Sequence, residues 1–316
     1  MTVYDHIPVL RNEILEAFDL GRPSVVVDGT LGLGGHSEAL LARYPDMRIL
    51  GLDWDQNALE DARRRLEKYA DRFEAVEANY AELSSILSQR GRGTVDGLLL
   101  DLGLSSRQLL DTDRGFSFLR PGPLDMRMSR SLTVTAWQLL NTSSEFELAD
   151  LLRRYGEEPQ SRKIARALKD ALRNQGLPND AWKVAELIRR VAPSPMKRID
   201  PATRCFQALR IVVNHELENL ESALDQLQGI LNPGGRAAII SFHSLEDRPV
   251  KLAFHAAAKG CLCPPRIPQC MCGQVPWARR VNRKVIIAQD DESRENPRSR
   301  SAKLRIMEKI PTRRFT

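Results

Sequence analysis

Three aspartates with clear chemical potential each end a short, mainly apolar run of the sequence. Asp28 follows VVV, Asp53 follows ILGL, and Asp101 follows VDGLLL. Apolar and β-branched runs of this length are typical of buried strands in a parallel sheet. Because such strands end at one edge, the three carboxylates are expected to border one ligand crevice, where an acid after the second strand can bind both hydroxyls of a ribose. The pattern therefore predicts a nucleotide-binding site.

Glycines recur directly after the first of these acids, at Gly29, Gly32, Gly34 and Gly35. Glycine has no Cβ, so such a loop lets the backbone approach a ligand closely. The dinucleotide pattern G-x-G-x-x-G/A is a poor match, because its third small residue would be Ser37. An acid that precedes the glycines instead resembles the adenosylmethionine-dependent methyltransferases, whose ligand presents an amino-acid end to this loop. The alternative is a glycine-rich turn that binds nothing.

Further candidate side chains follow the third, fourth and fifth strands of the predicted sheet. Tyr80 comes just after a strand at 73–78, and it either lies near the adenine or packs under the next helix. His243 follows a strand at 237–242 and is a weaker candidate for a substrate contact. The loop after the fourth strand carries the densest set of hydrogen-bonding groups, although its serines also fit a capped helix start: Asp101, Ser105, Ser106 and Gln108.

About a hundred residues of helical pattern separate the fourth and fifth strands. A connection of this length far exceeds the few residues that usually join neighbouring elements, so it predicts an inserted helical domain. The expected fold class is α/β, a doubly wound, Rossmann-like sheet, with domain bounds at 1–108, 109–202 and 203–316. One long helix is expected from Asp200-Pro201 to a stop at residues 232–235. The last two strands are expected as a hairpin over 284–288 and 303–307.

The net charge of +6 is unevenly distributed along the chain. Residues 273–316 carry 12 Lys and Arg against 5 Asp and Glu, and residues 150–210 carry 14 against 7. Two such basic blocks indicate either a polyanion partner, most simply nucleic acid, or two solvated faces. No apolar run approaches the ~20 residues that span a bilayer. The N-terminus has no signal-peptide pattern, so the expected compartment is the cytoplasm.

Four of the five cysteines fall within twelve residues, as Cys261-x-Cys263 and Cys270-x-Cys272. In a cytoplasmic chain such a cluster suggests a metal, here zinc, before a disulfide. However, the C-x-C spacing is tighter than the C-x₂-C of ordinary zinc sites. Zinc binding, unmetallated thiols and redox pairing are therefore all left open. The distant Cys205 is expected to be inert.

Several longer motifs occur in an order that resembles one known family. They are DGTLGLGGHS, LLLDLGLSS, RGFSF, GPLDMRM, YGEE, PATRCFQALRIVVNHEL, NPGGR, ISFHSLEDR and NPRSRSAKLR, and the resemblance covers residues 6–305. With these motifs the chain resembles the bacterial ribosomal small-subunit RNA methyltransferase H family, also called MraW. No single motif is as specific as their order.

The resemblance implies a methyltransferase sheet with a helical insertion that uses adenosylmethionine to methylate N4 of a cytidine in the decoding region of 16S rRNA. The implied partner is 16S rRNA or the small ribosomal subunit, without a membrane, and the oligomeric state, monomer or homodimer, is left open. Tyr80 stands where relatives commonly have phenylalanine, and only some members have the cysteine cluster. Matched residue by residue, the family's cofactor contacts are Gly34, Gly35, His36, Asp53, Tyr80, Asp101 and Gln108.

The expected reaction is direct transfer of the methyl group to the exocyclic amine, without a covalent cysteine adduct. Asp101, Ser105 and Ser106 are the candidate catalytic residues, and Asp101 or a loop carbonyl is expected to accept a hydrogen bond from the amine. The target base has to be splayed out and is expected to stack on Phe116 or Phe118. Two other functions stay open: a methyltransferase for a small molecule or protein, and a non-catalytic RNA-binding or assembly factor.

Overall fold

A computed structural model of the chain describes residues 7–174, 176–193, 200–260, 263, 267, 269, 271–272 and 275–311. The chain divides into two compact units. The first, here called the sheet unit, comprises Met1–Gly103 and Asn219–Thr316, and the second, the helical unit, comprises Leu104–Glu218. The predicted domain bounds of 1–108, 109–202 and 203–316 stay a prediction. Within the described residues, the helices are too short or too polar to cross a membrane.

The strands described in the sheet unit form one eight-stranded sheet. The order is β3-β2-β1-β4-β5-β8-β6, and β7 pairs with β8. Neighbours from β3 to β5 are parallel, whereas β8 runs antiparallel to β5, β6 and β7. The strands are β1 Ser24–Asp28, β2 Met47–Asp53, β3 Phe73–Glu77, β4 Val95–Asp101, β5 Leu231–Ser241, β6 Ala278–Arg280, β7 Ile286–Ile287 and β8 Lys303–Lys309.

Helices connect these strands and make up most of the helical unit. In chain order they are α1 Arg11–Ala17, α2 Gly35–Arg43, α3 Gln56–Arg65, α4 Leu83–Gln89, α5 Ser106–Leu110, α6 Ala136–Thr142, α7 Glu145–Gly156, α8 Ser161–Asn174, α9 Ala181–Val191, α10 Pro201–Asn214, α11 Glu216–Ile230, α12 Ser244–Ala258 and α13 Asp290–Glu295.

The sheet is covered on both faces, as its near-continuous apolar strands predict. In β4, Leu98 and Leu100 pack with side chains of α4, α11 and α12, whereas Leu99 packs with those of α1, α2 and α3. Alternate residues of a strand point to opposite faces, so a single apolar run supplies both layers. The doubly wound arrangement brings the carboxyl ends of β1, β2 and β4 to one edge.

The structure corrects the prediction of one long helix after residue 200. His215 adopts a left-handed conformation, with φ 52° and ψ 38°, so α10 ends at Asn214 and α11 begins at Glu216. Histidine is among the residues that enter this conformation more readily than most. The sequence hid the break because apolar residues recur at helical spacing on both sides of it.

The predicted strands near the C-terminus are largely confirmed, with two corrections. β7 pairs with β8, as the expected hairpin requires. However, β5 begins at Leu231 rather than residue 237, and its pairing with β4 shifts register between Val95 and Gly97. The proline–glycine turn at 232–235 is therefore an irregularity at the start of the strand. β6 was not predicted, because three residues carry too little periodicity.

One buried side chain fixes the end of α10 within the helical unit. The Asn214 side chain is fully buried, and its Oδ1 accepts a hydrogen bond from the backbone N–H of Met128 at 2.6 Å. Its Nδ2 donates to the carbonyl oxygens of Met126 at 2.7 Å and Arg210 at 2.8 Å. The irregular loop before α6 is thereby tied to α10.

We expect Asn214→Ala to lower the free energy of unfolding by about 1–3 kcal/mol, because it deprives buried main-chain groups of their partners. Urea denaturation followed by tryptophan fluorescence measures this. Asn141→Ala is the matched control, since Asn141 is exposed and donates one hydrogen bond within α6; a change within about 0.5 kcal/mol is expected there. Equal stability of the two variants would contradict this assignment.

Candidate active site

Asp28, at the end of β1, is a buried carboxylate held by its own loop. It is 2% exposed, its Oδ2 accepts a hydrogen bond from Ser37 Oγ at 2.7 Å, and its Oδ1 accepts one from Thr30 N at 3.3 Å. Burial raises the pKa of Asp28, and the Ser37 hydrogen bond and the nearby His36 partly offset that rise. Ser37, the residue that does not fit the dinucleotide pattern, thus donates a hydrogen bond to the buried Asp28 carboxylate.

Asp53, at the end of β2, fixes the position of the glycine loop. Its Oδ2 accepts a hydrogen bond from Gly32 N at 2.8 Å, and its Oδ1 accepts one from Asp55 N at 2.9 Å. Burial raises the pKa of Asp53 to about 6, although these two hydrogen bonds lower it. A carboxylate with one bond at each oxygen retains lone pairs that can accept hydroxyl protons.

Two glycines of the loop are required by geometry. Gly34 is the N-cap of α2 and lies in the left-handed region at φ 74°, which glycine enters without a steric penalty. Gly29 has no room for a side chain, because a Cβ there would lie 2.5 Å from Leu100 Cδ2 and 3.1 Å from Tyr80 Cβ. The loop therefore lies close against β4 and the residues after β3.

Asp101, at the end of β4, lies beside His36 from the N-terminal turn of α2. The distance from His36 Nε2 to Asp101 Oδ2 is 3.5 Å, and the Asp101 backbone N–H donates to Thr30 Oγ1 at 2.6 Å. Among the described residues, neither ring nitrogen of His36 nor Oδ1 of Asp101 has a hydrogen-bond partner, although all three atoms are buried. Buried polar atoms usually have partners, so this corner is suited to a polar ligand.

Tyr80 begins a short 3₁₀ turn, Tyr80–Glu82, which Asn79 caps through a hydrogen bond from Ala81 N. Its side chain is half-buried and packs against the core layer that contains α4. This packing agrees with one of the two interpretations offered by the sequence. An adenine contact by Tyr80 stays a prediction.

The remaining loop candidates belong to the helical unit. Ser105 is the N-cap of α5, and with Gln108 it forms a reciprocal capping box, in which Gln108 N donates to Ser105 Oγ at 3.2 Å and Ser105 N to Gln108 Oε1 at 3.1 Å. Ser106 is the first residue of the helix. These bonds account for a structural role of Ser105 and Gln108; the catalytic and cofactor roles of the three residues stay predictions.

The cysteine cluster is described only in part. Cys261 and Cys270 lie outside the described residues, whereas Cys263 is half-buried and accepts a hydrogen bond from Met271 N at 3.3 Å, and Cys272 is exposed. The described residues give no support for zinc at this cluster. Cys205 is buried in the helical unit, and burial raises the pKa of its thiol well above the usual range, as expected for an inert cysteine.

Two contacts at this edge were not predicted from the sequence, although His243 itself was a candidate there. Thr30 joins the loop after β1 to the end of β4, and only its hydroxyl within the glycine loop hinted at a polar role. His243 lies 3.1 Å from Glu246, measured from Nε2 to Oε1, while Oε2 of that glutamate accepts the Phe242 backbone N–H at 2.8 Å. The sequence signal for this contact was the i, i+3 spacing of His243 and Glu246 at the start of α12, which brings two side chains together on a helix.

We expect Ser37→Ala to lower the free energy of unfolding at pH 7.5 by about 1–3 kcal/mol, because the buried Asp28 carboxylate loses a donor. The same loss raises the pKa of Asp28 further, so the deficit should shrink at pH 5, where more of the carboxyl is protonated. Urea denaturation at both pH values measures this. Ser88→Ala, at an exposed position of α4, is the control; an equal, pH-independent effect of both substitutions would refute the role of Ser37.

Comparison with known proteins identifies the family. Residues 3–310 match the family described as the MraW methylase family. Proteins named "Ribosomal RNA small subunit methyltransferase H" are 48% identical in Anaeromyxobacter sp. strain K, over 97% of this chain and 98% of that protein, and 46% identical in Geobacter sulfurreducens, over 97% and 99%.

The solved structures are more distant. An rRNA methylase from Streptococcus thermophilus aligns over 95% of this chain and 94% of that chain, but at 10% identity and a TM-score of 0.42. A likeness of this strength supports no argument about function. The family match and the observed strand order together confirm the α/β class I methyltransferase sheet, and the chain belongs to the MraW methylase family.

Proposed function

We propose that the protein transfers a methyl group from adenosylmethionine to N4 of a cytidine in the decoding region of 16S rRNA, within the small ribosomal subunit or its free RNA. The observation that carries the proposal is a set of buried polar atoms for which the described residues offer no hydrogen-bond partner: both ring nitrogens of His36 in α2 and Oδ1 of Asp101 at the end of β4. Family membership and the names of the relatives support the methyl-transfer class and the ribosomal RNA substrate.

The residues at this edge fit the proposed cofactor. The loop after β1 lies close to the sheet because Gly29 lacks a side chain, Gly34 lies close to Leu66, and Asp53 has lone pairs for ribose hydroxyls. The carboxylates of Asp28 and Asp101 suit a charged amino group. We propose that the contacts come from Gly34, Gly35, His36, Asp53, Tyr80, Asp101 and Gln108.

When bound, adenosylmethionine supplies an activated methyl group on a positively charged sulfur. The protein then has mainly to align the acceptor amine with that methyl group, which is the contribution expected of a positioned, water-excluding site. The cytidine N4 lone pair is delocalised into the ring. A hydrogen bond from N4–H to Asp101 would localise that pair as the new bond forms, and Ser105 and Ser106 are proposed to assist at the same loop.

The helical unit limits where the target base can stack. Phe116 is 6% exposed and therefore belongs to the core of that unit. Phe118 is half-buried; its ring lies 4.7 Å from that of Phe206, and the Arg189 guanidinium lies 5.1 Å from its centroid. We therefore propose Phe118, rather than Phe116, for a stacking contact with the splayed base.

The basic blocks supply the expected attraction to RNA. In the helical unit, exposed cations on α8 include Arg162, Lys163 and Arg173, for which no described carboxylate lies within ion-pair distance. Phosphate contacts of this kind make affinity fall steeply with salt. An RNA substrate also agrees with the proposed cytoplasmic location; a monomer or a homodimer could carry out the reaction.

The deciding experiment incubates the protein with methyl-labelled adenosylmethionine and either small subunits that lack the modification or bare 16S rRNA, followed by mass spectrometry of the nucleosides. We expect label on N4 of cytidine. Asp101→Asn should reduce transfer by about 10²-fold at saturating cofactor, because an amide is a weaker acceptor for the amine proton. RNA binding without any labelled nucleoside would favour an assembly factor and would sink the proposal.

Asp53 gives a prediction about pH. Ribose hydroxyls bind best to the ionised carboxylate, so cofactor affinity should be highest above the pKa of about 6 and should fall as the pH drops below it. Asp53→Asn should weaken binding at pH 7.5 by about 10–100-fold, as expected for hydrogen bonds to a charged group. It should also remove this part of the pH dependence.

Calorimetric titration from pH 5 to pH 8 measures both effects. Asp28, whose pKa is also raised, remains in both proteins, so the difference between their profiles isolates Asp53. Identical affinity and pH profiles for the two proteins would show that Asp53 does not hold the ribose.

A further inference from the structure

The segment between β6 and β7 bulges out of the last edge of the sheet. Arg280 pairs with Met307 and Ile286 with Leu304, so five residues, 281–285, lie opposite only two residues of β8. Since β5 occupies the other side of β8, this segment, here called the edge bulge, lies on the outer edge of the sheet.

A side-chain amide holds the edge bulge in place. Asn282 Oδ1 accepts the backbone N–H of Ile306 at 2.7 Å, and its Nδ2 donates to the carbonyl oxygens of Leu304 at 3.0 Å and Lys284 at 2.8 Å. These are main-chain groups of β8 and of the bulge itself. The segment therefore has a defined shape: Val281 N keeps a main-chain bond to Ile306 O at 3.0 Å, and the neighbouring Ile306 N and Leu304 O bond to the Asn282 side chain instead.

The edge bulge and the end of β6 carry charge of a single sign. Residues 275–289 contain four Arg and Lys and no Asp or Glu. Arg279 contacts Glu308 at 2.8 Å, and that carboxylate is shared with Arg236. Arg280, Arg283 and Lys284 are exposed, and no described carboxylate lies within ion-pair distance of them. The next acids along the chain are Asp290 and Asp291, in α13.

A bulge with charged residues can also serve to protect an edge strand from pairing with another chain. Interrupting the ladder achieves this, and the Asn282 bonds already interrupt it. Protection of the edge does not require three neighbouring cations without a described acid beside them, and such cations repel one another. Contact with a polyanion would offset the repulsion and release counterions.

We propose that the edge bulge, with Arg280, is a phosphate-binding surface for the RNA substrate. The proposal deepens the RNA methyltransferase function proposed above and rests on it for the identity of the RNA. Arg280, Arg283 and Lys284 each supply one phosphate contact, and Asn282 fixes the geometry in which the last two are presented. The surface positions RNA without reading its sequence.

The test compares full-length proteins for binding to 16S rRNA transcribed in vitro, over a series of KCl concentrations. Changing Arg280, Arg283 and Lys284 together to Gln should reduce the slope of log affinity against log salt by about 2–3, since each lost phosphate contact accounts for about 0.7–0.9. The charge-preserving pair Arg283→Lys and Lys284→Arg should keep the wild-type slope. Methyl transfer at saturating RNA should stay within about twofold of wild type.

The matched control changes Arg43, Arg48 and Arg92 to Gln. These three exposed cations lie near the amino ends of the parallel strands, away from β8. An equal loss of slope in this control would show a general charge effect and overturn the proposal. An unchanged slope for the bulge triple variant would also overturn the proposal. If that variant self-associates with rising concentration in sedimentation, the bulge instead protects the edge strand from pairing with another chain. If wild type transfers no methyl group but the slope difference persists, the proposed reaction fails and the RNA surface stands.

Discussion

The hydrogen bonding of carboxylates at the carboxyl edge of the sheet is the constraint on which the site depends. An ionised carboxylate taken out of water is costly unless polar partners surround it. Here the partners of Asp28 and Asp53 are a hydroxyl and three backbone N–H groups, all from residues at most nine positions after a strand end. The acids therefore fix the loops that carry the other candidate residues, so one set of bonds organises both the fold and the site.

This constraint explains how the site differs between its two sides. At the end of β2, each oxygen of the Asp53 carboxylate accepts a hydrogen bond from a backbone N–H group of the protein. At the junction of β1 and β4, by contrast, the His36 nitrogens and one Asp101 oxygen are buried without described partners. Such incomplete satisfaction is costly in a structural core and is characteristic of sites that bind polar ligands.

The sequence predicted the parallel part of the sheet well, because β1, β2 and β4 are mainly apolar runs that each end in an aspartate. It also predicted the pairing of β7 with β8. It could not predict features set by a single long-range contact. The helix break at His215 accompanies Asn214 bonding to residues 126 and 128, and no periodicity reveals such a partner. The same holds for Thr30, whose role depends on where β4 ends.

The short contact from the Asp101 amide to the Thr30 hydroxyl has a mechanical consequence. The tie lies beside the main-chain ladder that pairs β1 with β4, so two loops from distant parts of the chain share one anchor point. A thermal displacement of either loop therefore carries the other with it. The spacing between the groups that border these two strands is thus held by a side-chain hydrogen bond as well as by the main-chain ladder.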